Sequence, residues 1–224
     1  QVGANPEALY IDLLCTDAGQ QATFSAIAQD LIRSCRHSEV PLREVVVVAL
    51  NRWRAFWAAK ATGMSREEAL GLFGELWFLR RWLRSLDVAT IQGWQATHEA
   101  RHDFQWQAAS IEVKTATSQS GSAPIHRIGS LEQLADPEHG ELYLFSLQVC
   151  DDALAANTLQ ALVGAITTDL EGNFQALGEF NDRLVARGYS PLTTQVATRP
   201  LRILGERLYR LDGAFPRVVR STFG

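Results

Sequence analysis

Lysine is almost missing from this chain. Lys60 and Lys114 are the only two in 224 residues, and every other fixed cation is an arginine. Cysteine is sparse as well. Cys15, Cys35 and Cys150 are odd in number and far apart, which excludes a disulfide framework or a cysteine-based zinc site and fits reduced thiols. No apolar run approaches membrane-spanning length and no signal-peptide pattern stands out, so a cytoplasmic chain without a membrane partner is expected. Positive charge disappears from 128 to 182, where ten acids meet no lysine or arginine, and the net charge is −4. That balance counts against a uniformly basic surface. There is also no phosphate-cradling glycine loop, nucleotide fingerprint, Ser-His-Asp cue, repeat or low-complexity stretch.

What is present is 46% hydrophobic and 21% charged, enough for one sizeable core. The pattern predicts a strand over 8–15, a helix ending near Arg36, and a second helix over 42–61 opened by Pro41. Ser65-Arg-Glu-Glu68 is a capping box that starts a helix expected to reach Leu86. A short strand is expected between Asp87 and Gln92, another over 125–128, and a third over 142–149. Two helices, stopped by Gly172 and Gly188, should come next, and short strands and loops after them. Ser130-Leu-Glu-Gln133 is a second capping-box pattern. The expectation is one α/β domain over 1–224, a small mixed sheet flanked by helices, with 1–62 a strand-helix-helix elaboration.

The stretch from Asp103 to Thr115 carries the chemistry. Phe104, Trp106, Ile111 and Val113 alternate with polar residues, the period of two half-buried strands. A two-residue turn at Ala108-Ala109 would set Asp103 opposite Lys114 and Gln105 opposite Glu112, all on one face. A three-residue turn would flip the parity and separate Asp103 from the others. Two carboxylates and an ammonium on one patch are the polar set for metal-dependent phosphodiester hydrolysis: oxygens for a hard cation, an amine to orient water and offset charge at phosphorus. An acid two residues before a lysine would arise by chance about 0.2 times in this composition, so a chain that otherwise prefers arginine has kept its rare amine at a telling place. The bland alternative is a surface hairpin with a cross-strand ion pair.

Glu75 lies mid-helix on the face of Gly71, Leu72, Phe78 and Leu79, where an acid is costly unless it is paired or holds a metal. An ion pair with a core arginine is the structural alternative. A rival motif, His98-Glu99-Ala-Arg-His102, matches the zinc-protease pattern H-E-x-x-H and requires residues 95–109 to be helical. His37, His126 and His139 are expected to be surface or structural.

At Asp103…Glu112-Val-Lys114 the chain resembles the PD-(D/E)XK nuclease superfamily. More narrowly, it is similar to PD-(D/E)XK-motif proteins of bacterial restriction and phage-defence operons. Gly71 to Leu79, Trp94, His102-Asp103-Phe104, Glu112 to Thr115, Gln133-Leu134 and Phe215-Pro216-Arg217 carry that likeness, over roughly 65–217. Two departures are His102 where a proline often stands and an end soon after Pro216. The resemblance implies a restriction-endonuclease-like core and a DNA endonuclease using Mg²⁺, with Mn²⁺ as a substitute. Catalysis would fall to Glu75, Asp103, Glu112 and Lys114. Asp103, Glu112, the Val113 carbonyl and Glu75, directly or through water, would hold the metal. Gln133 would lie at the site's rim, against its plainer role as a reciprocal helix cap. DNA would meet Arg101, Arg127, Arg199, Arg202, Arg207 and Arg210, together with Arg217 and Arg220, and a homodimer or a defence-operon protein would be the partner. A catalytically degenerate nuclease-fold module for binding or assembly is the competing expectation.

Overall fold

The computed structural model describes residues 12–15, 21–36, 41–58, 64–83, 85–97, 100–118, 122–170, 172–189 and 199–219. By its internal contacts the chain divides into two compact units, 1–50 and 51–224. The first contains α1 (Gln21–Arg36) and the start of α2 (Leu42–Ala58), with Ile27, Leu31, Val45, Val46 and Ala49 buried. Pro41 opens α2, its carbonyl accepting the amides of Glu44 and Val45. Of the strand expected over 8–15, residues 8–11 lie outside the described set and 12–15 form no strand.

The second unit is built on one four-stranded mixed sheet in the order β1-β2-β3-β4. Strands β1 (Phe104–Gln105) and β2 (Ala109–Thr117) are antiparallel, β2 and β3 (Glu141–Asp151) parallel, β3 and β4 (Leu201–Arg210) antiparallel. On one face Ile111, Val113, Phe145 and Leu147 pack against α3 (Arg66–Trp82), α5 (Leu159–Asp169) and α6 (Phe174–Ala186) in the main core. Each fully buried large aliphatic or aromatic there contributes about 1.5–3 kcal/mol. On the other face Leu142 and Leu144 join Leu134 and Leu211 in a smaller cluster. Glu112 and Lys114 alternate with Ile111 and Val113 and so lie on this second face.

Helix α3 starts as its capping box requires: Ser65 Oγ accepts the Glu68 amide, and Glu68 Oε2 accepts the Ser65 amide at 2.7 Å. It stops at Leu83, which is extended, four residues short of the expected Leu86–Asp87 boundary. Gly74 lets the helix lie directly on β2, because a methyl group there would meet Thr115 Oγ1 at 1.9 Å and Val113 Cγ1 at 3.2 Å. At the far end of α6, Gly188 (φ +75°) closes the helix. Tyr189 returns its amide to the Leu184 carbonyl and Gly188 to that of Val185, a double bond pattern that needs the left-handed conformation glycine adopts freely.

Four local expectations change. The hairpin turn is Gln107-Ala108, since Trp106 donates to the Ala109 carbonyl. The pairs are Phe104 with Ile111 and Gln105 with Ser110, so parity is kept while each partner moves by two residues. Residues 88–93 are helix α4, because Asp87 caps it by accepting the Thr90 amide at 2.8 Å. Residues 125–128 are not a strand; the His126 side chain ties that segment to Ser146. The tail is one ten-residue strand, β4, paired along β3 with a bulge at Gln148/Val149. Among the described residues, no helix is long and apolar enough to cross a membrane.

Candidate active site

Extending the β1–β2 register by one residue puts Asp103 beside Glu112. Asp103 Oδ2 accepts the Val113 amide at 2.7 Å, so the carboxylate takes the place of a ladder carbonyl just before β1 begins. The Asp103 main chain is tied too, its carbonyl accepting the Gln95 amide at 2.7 Å. Lys114 Nζ lies 2.7 Å from Glu112 Oε1, with both side chains largely buried. The same ammonium donates to Gln133 Oε1 at 3.2 Å, and that oxygen also accepts the Gly129 amide at 2.8 Å. Gln133 is therefore a neighbour of Lys114. The reciprocal capping expected of it is absent, as Ser130 makes no side-chain cap to the short 3-10 turn Leu131–Leu134.

From the helix side, Glu75 is buried at 3% exposure. Its Oε2 accepts Trp94 Nε1–H at 2.8 Å, and its Oε1 is in an ion pair with Arg187, the last residue before Gly188. The structural alternative for Glu75, an arginine in the core, is thus present. Its charge is nonetheless part of the same field as the hairpin. Burial first, then the Asp103 charge, pushes Glu75 up to about 8, against the pull of Arg187 and Trp94. Glu112 is likewise pushed up to about 8 by burial and Asp103, against Lys114. Asp103 is raised by burial and restrained by the Val113 amide, Lys114 and Arg187. Three carboxyl groups thus crowd a poorly solvated space, with the charges of Lys114 and Arg187 set against them. Among the described residues, no three His, Cys, Asp or Glu side chains form a ready-made metal cage. A hard cation here would draw on two carboxylates, a main-chain carbonyl and water.

Three neighbours were not foreseen in these roles. Arg187 carried only a helix-stop signal from Gly188, and its partner lies 112 residues away. Ser146 stands across from Lys114 in the β2–β3 register, and its Oγ lies 2.6 Å from His126 Nε2. His126, expected at the surface or in a structural role, is half-buried with its Nδ1 unpartnered. Burial and the Lys114 charge both lower its pKa.

The arginine pool is mostly engaged. Arg202 pairs with Asp152, Arg210 with Glu141, Arg217 with Asp136, and Arg199 lies 3.7 Å from Asp151. Arg207 donates to the Tyr209 hydroxyl. Arg101 and Arg127 are exposed. Arg220 lies outside the described residues, as do His37, His98 and Glu99. No described residue from 95 to 109 is helical, so the frame that H-E-x-x-H requires is missing. His102 is buried instead at 2% exposure.

A mixed sheet flanked by helices, with an acid–acid–lysine hairpin at its edge, is the restriction-endonuclease-like fold of the PD-(D/E)XK nucleases. The chain belongs to the family described as "Putative PD-(D/E)XK family member, (DUF4420)", whose model matches residues 3–223. No curated protein and no solved structure matches it. Nucleases of this superfamily usually use a divalent metal.

Proposed function

We propose that this chain is a Mg²⁺-dependent endodeoxyribonuclease, with Mn²⁺ as a substitute, that hydrolyses DNA phosphodiester bonds. The observation that carries the reading is the convergence of Asp103, Glu112 and Lys114 at one hairpin. Asp103 is aimed by the Val113 amide at 2.7 Å, and Glu112 lies 2.7 Å from the ammonium. The donor set fits a hard cation: Asp103 and Glu112 would hold it through oxygen, with the Val113 carbonyl and water completing the shell. Bound there, the cation would supply Lewis-acid polarisation of the phosphate. Lys114, steadied by Glu112 and Gln133, orients a water and offsets charge gathering on the phosphoryl oxygens. Glu75 is occupied by Trp94 and Arg187, so its part is to position the cluster or meet the metal through water.

The proposed setting is a bacterial restriction or phage-defence system, in the cytoplasm, with a homodimer or an operon protein as partner. Of the arginines, Arg101 and Arg127 are exposed and, unlike Arg199, Arg202, Arg210 and Arg217, are not held by an acid among the described residues, which favours them for DNA. A degenerate nuclease-fold module is favoured by one observation, the closure of Glu75 onto Arg187. Plasmid incubated with the purified chain and Mg²⁺ or Mn²⁺, beside Lys114→Ala, separates the two. Cleavage lost with Lys114 supports the enzyme. Binding without cleavage supports the module, and cleavage that survives the substitution removes this site from the account.

A further inference from the structure

A cavity of about 550 Å³ opens at the turn end of the β1–β2 hairpin, lined by Gln95, Arg101, His102, Gln105, Trp106 and Ser110 among others. That is within the range of roughly 300–1,000 Å³ for small-ligand sites. Gln105 and Ser110 face each other across the hairpin. They stand two residues from Asp103 and Glu112, roughly 7 Å along the strands. The cavity is therefore next door to the proposed scissile phosphate.

Its lining is asymmetric in hydrogen-bonding character. His102 is 2% exposed, and its Nε2 has no partner. In the tautomer protonated at Nδ1, Nε2 is an acceptor. A buried acceptor left without a donor costs about 1–3 kcal/mol, a cost that a ligand carrying a donor removes. Gln95 repeats the pattern: its Nε2 is turned to the carbonyls of Gln92 and Gly93, leaving Oε1 as a second acceptor. Trp106 supplies an apolar wall held in place, its ring stacked on Phe104 at 5.5 Å and its Nε1 donating to the Ala89 carbonyl.

Resting on the nuclease reading, we propose that this cavity receives one unstacked nucleobase bearing an exocyclic amino group, adenine, cytosine or guanine, from the substrate strand. The amino hydrogens meet His102 Nε2 and Gln95 Oε1, and the carboxamides of Gln105 and Gln107 complete the edge. An aromatic wall with hydrogen bonds along the base edge is the general means of reading a base taken out of its stack. Uracil and thymine carry no amino group and leave one acceptor unpaired.

Calorimetric titration of the whole metal-free chain with AMP, CMP and UMP tests this. AMP or CMP should bind at least about tenfold more tightly than UMP, the discrimination of one good edge contact. His102→Phe should abolish the preference. Gln107→Leu, at an exposed position that keeps the fold, should weaken AMP and CMP binding several-fold should His102→Phe fail to fold. Equal affinities, no binding at millimolar nucleotide, or a preference indifferent to both variants would overturn the proposal. The two readings fail separately: plasmid cleavage without base preference removes the cavity alone, and base preference without cleavage removes the nuclease alone.

Discussion

At the scale of single residues, burial sets the terms. Glu75 and Arg187 form a nearly buried pair, and deleting one member of such a pair strands the other charge. Glu75→Leu, which leaves the guanidinium unpaired, should therefore cost about 3–5 kcal/mol in urea denaturation, whereas Glu75→Leu with Arg187→Met should recover most of it. Equal losses in both would show that shape, not charge, dominates. The same crowding gives a pH dependence. Glu75 and Glu112 sit at about 8, above the ordinary 4.5, so the folded state holds more protons than the unfolded one. Their contribution to stability is full below 4.5 and is lost as pH rises through about 8. His102, lowered to about 4 from 6.5 by burial and Arg101, has the opposite sign, and its contribution is lost as pH falls from 6.5 to 4. Between pH 6.5 and 8.5 the carboxyls dominate. The melting temperature of the metal-free chain should fall across that window, and Mg²⁺ should flatten the fall. A melting temperature that rises there without metal would contradict the crowding. Asp103, Glu112 and Lys114 were legible because acid and amine lie within two residues on one strand. Arg187 and His126 were not, since their partners are tens of residues away and no local period records such a meeting.

At the scale of elements, α3 and the hairpin are the parts the pattern revealed best, and the reasons are local. A capping box closes within three residues, and alternation marks a face whichever way the turn slips by two. The turn itself was harder, because Gln107-Ala108 and Ala108-Ala109 carry no glycine or asparagine to choose between them. Asp87 illustrates the reverse, a cap that outweighed strand propensity in six residues. Strand β4 depended on pairing along β3, a tertiary fact that its arginine-rich pattern hides. The seating of α3 on β2 yields a sharp contrast. Gly74→Ala should destabilise by about 1–3 kcal/mol through overpacking. Gly71→Ala has 4.0 Å of clearance to Arg187, and should be neutral or stabilising by up to about 1 kcal/mol through helix propensity. Chemical denaturation of the two variants reads this directly, and equal losses would mean that the close approach at Thr115 is not the constraint.

For the whole molecule, charge is the governing quantity. Arg202, Arg210 and Arg217 are spent on Asp152, Glu141 and Asp136 of the acidic middle, which leaves few cations for phosphate. Each neutralised phosphate adds about 0.9 to the salt slope, so non-specific duplex binding should be weak and shallow, with dimerisation or a partner needed for useful affinity. A slope on the order of ten from the isolated chain would contradict this. The claim on which the rest depends is hydrolysis at Asp103, Glu112 and Lys114. Its most direct test is single-turnover cleavage of a labelled duplex by the wild-type chain, Asp103→Asn and Lys114→Ala, each with Mg²⁺ and with EDTA. The account predicts cleavage by wild type in Mg²⁺ alone and a loss of at least about 100-fold in both variants. Cleavage that persists in EDTA, or at an unchanged rate in either variant, would contradict it.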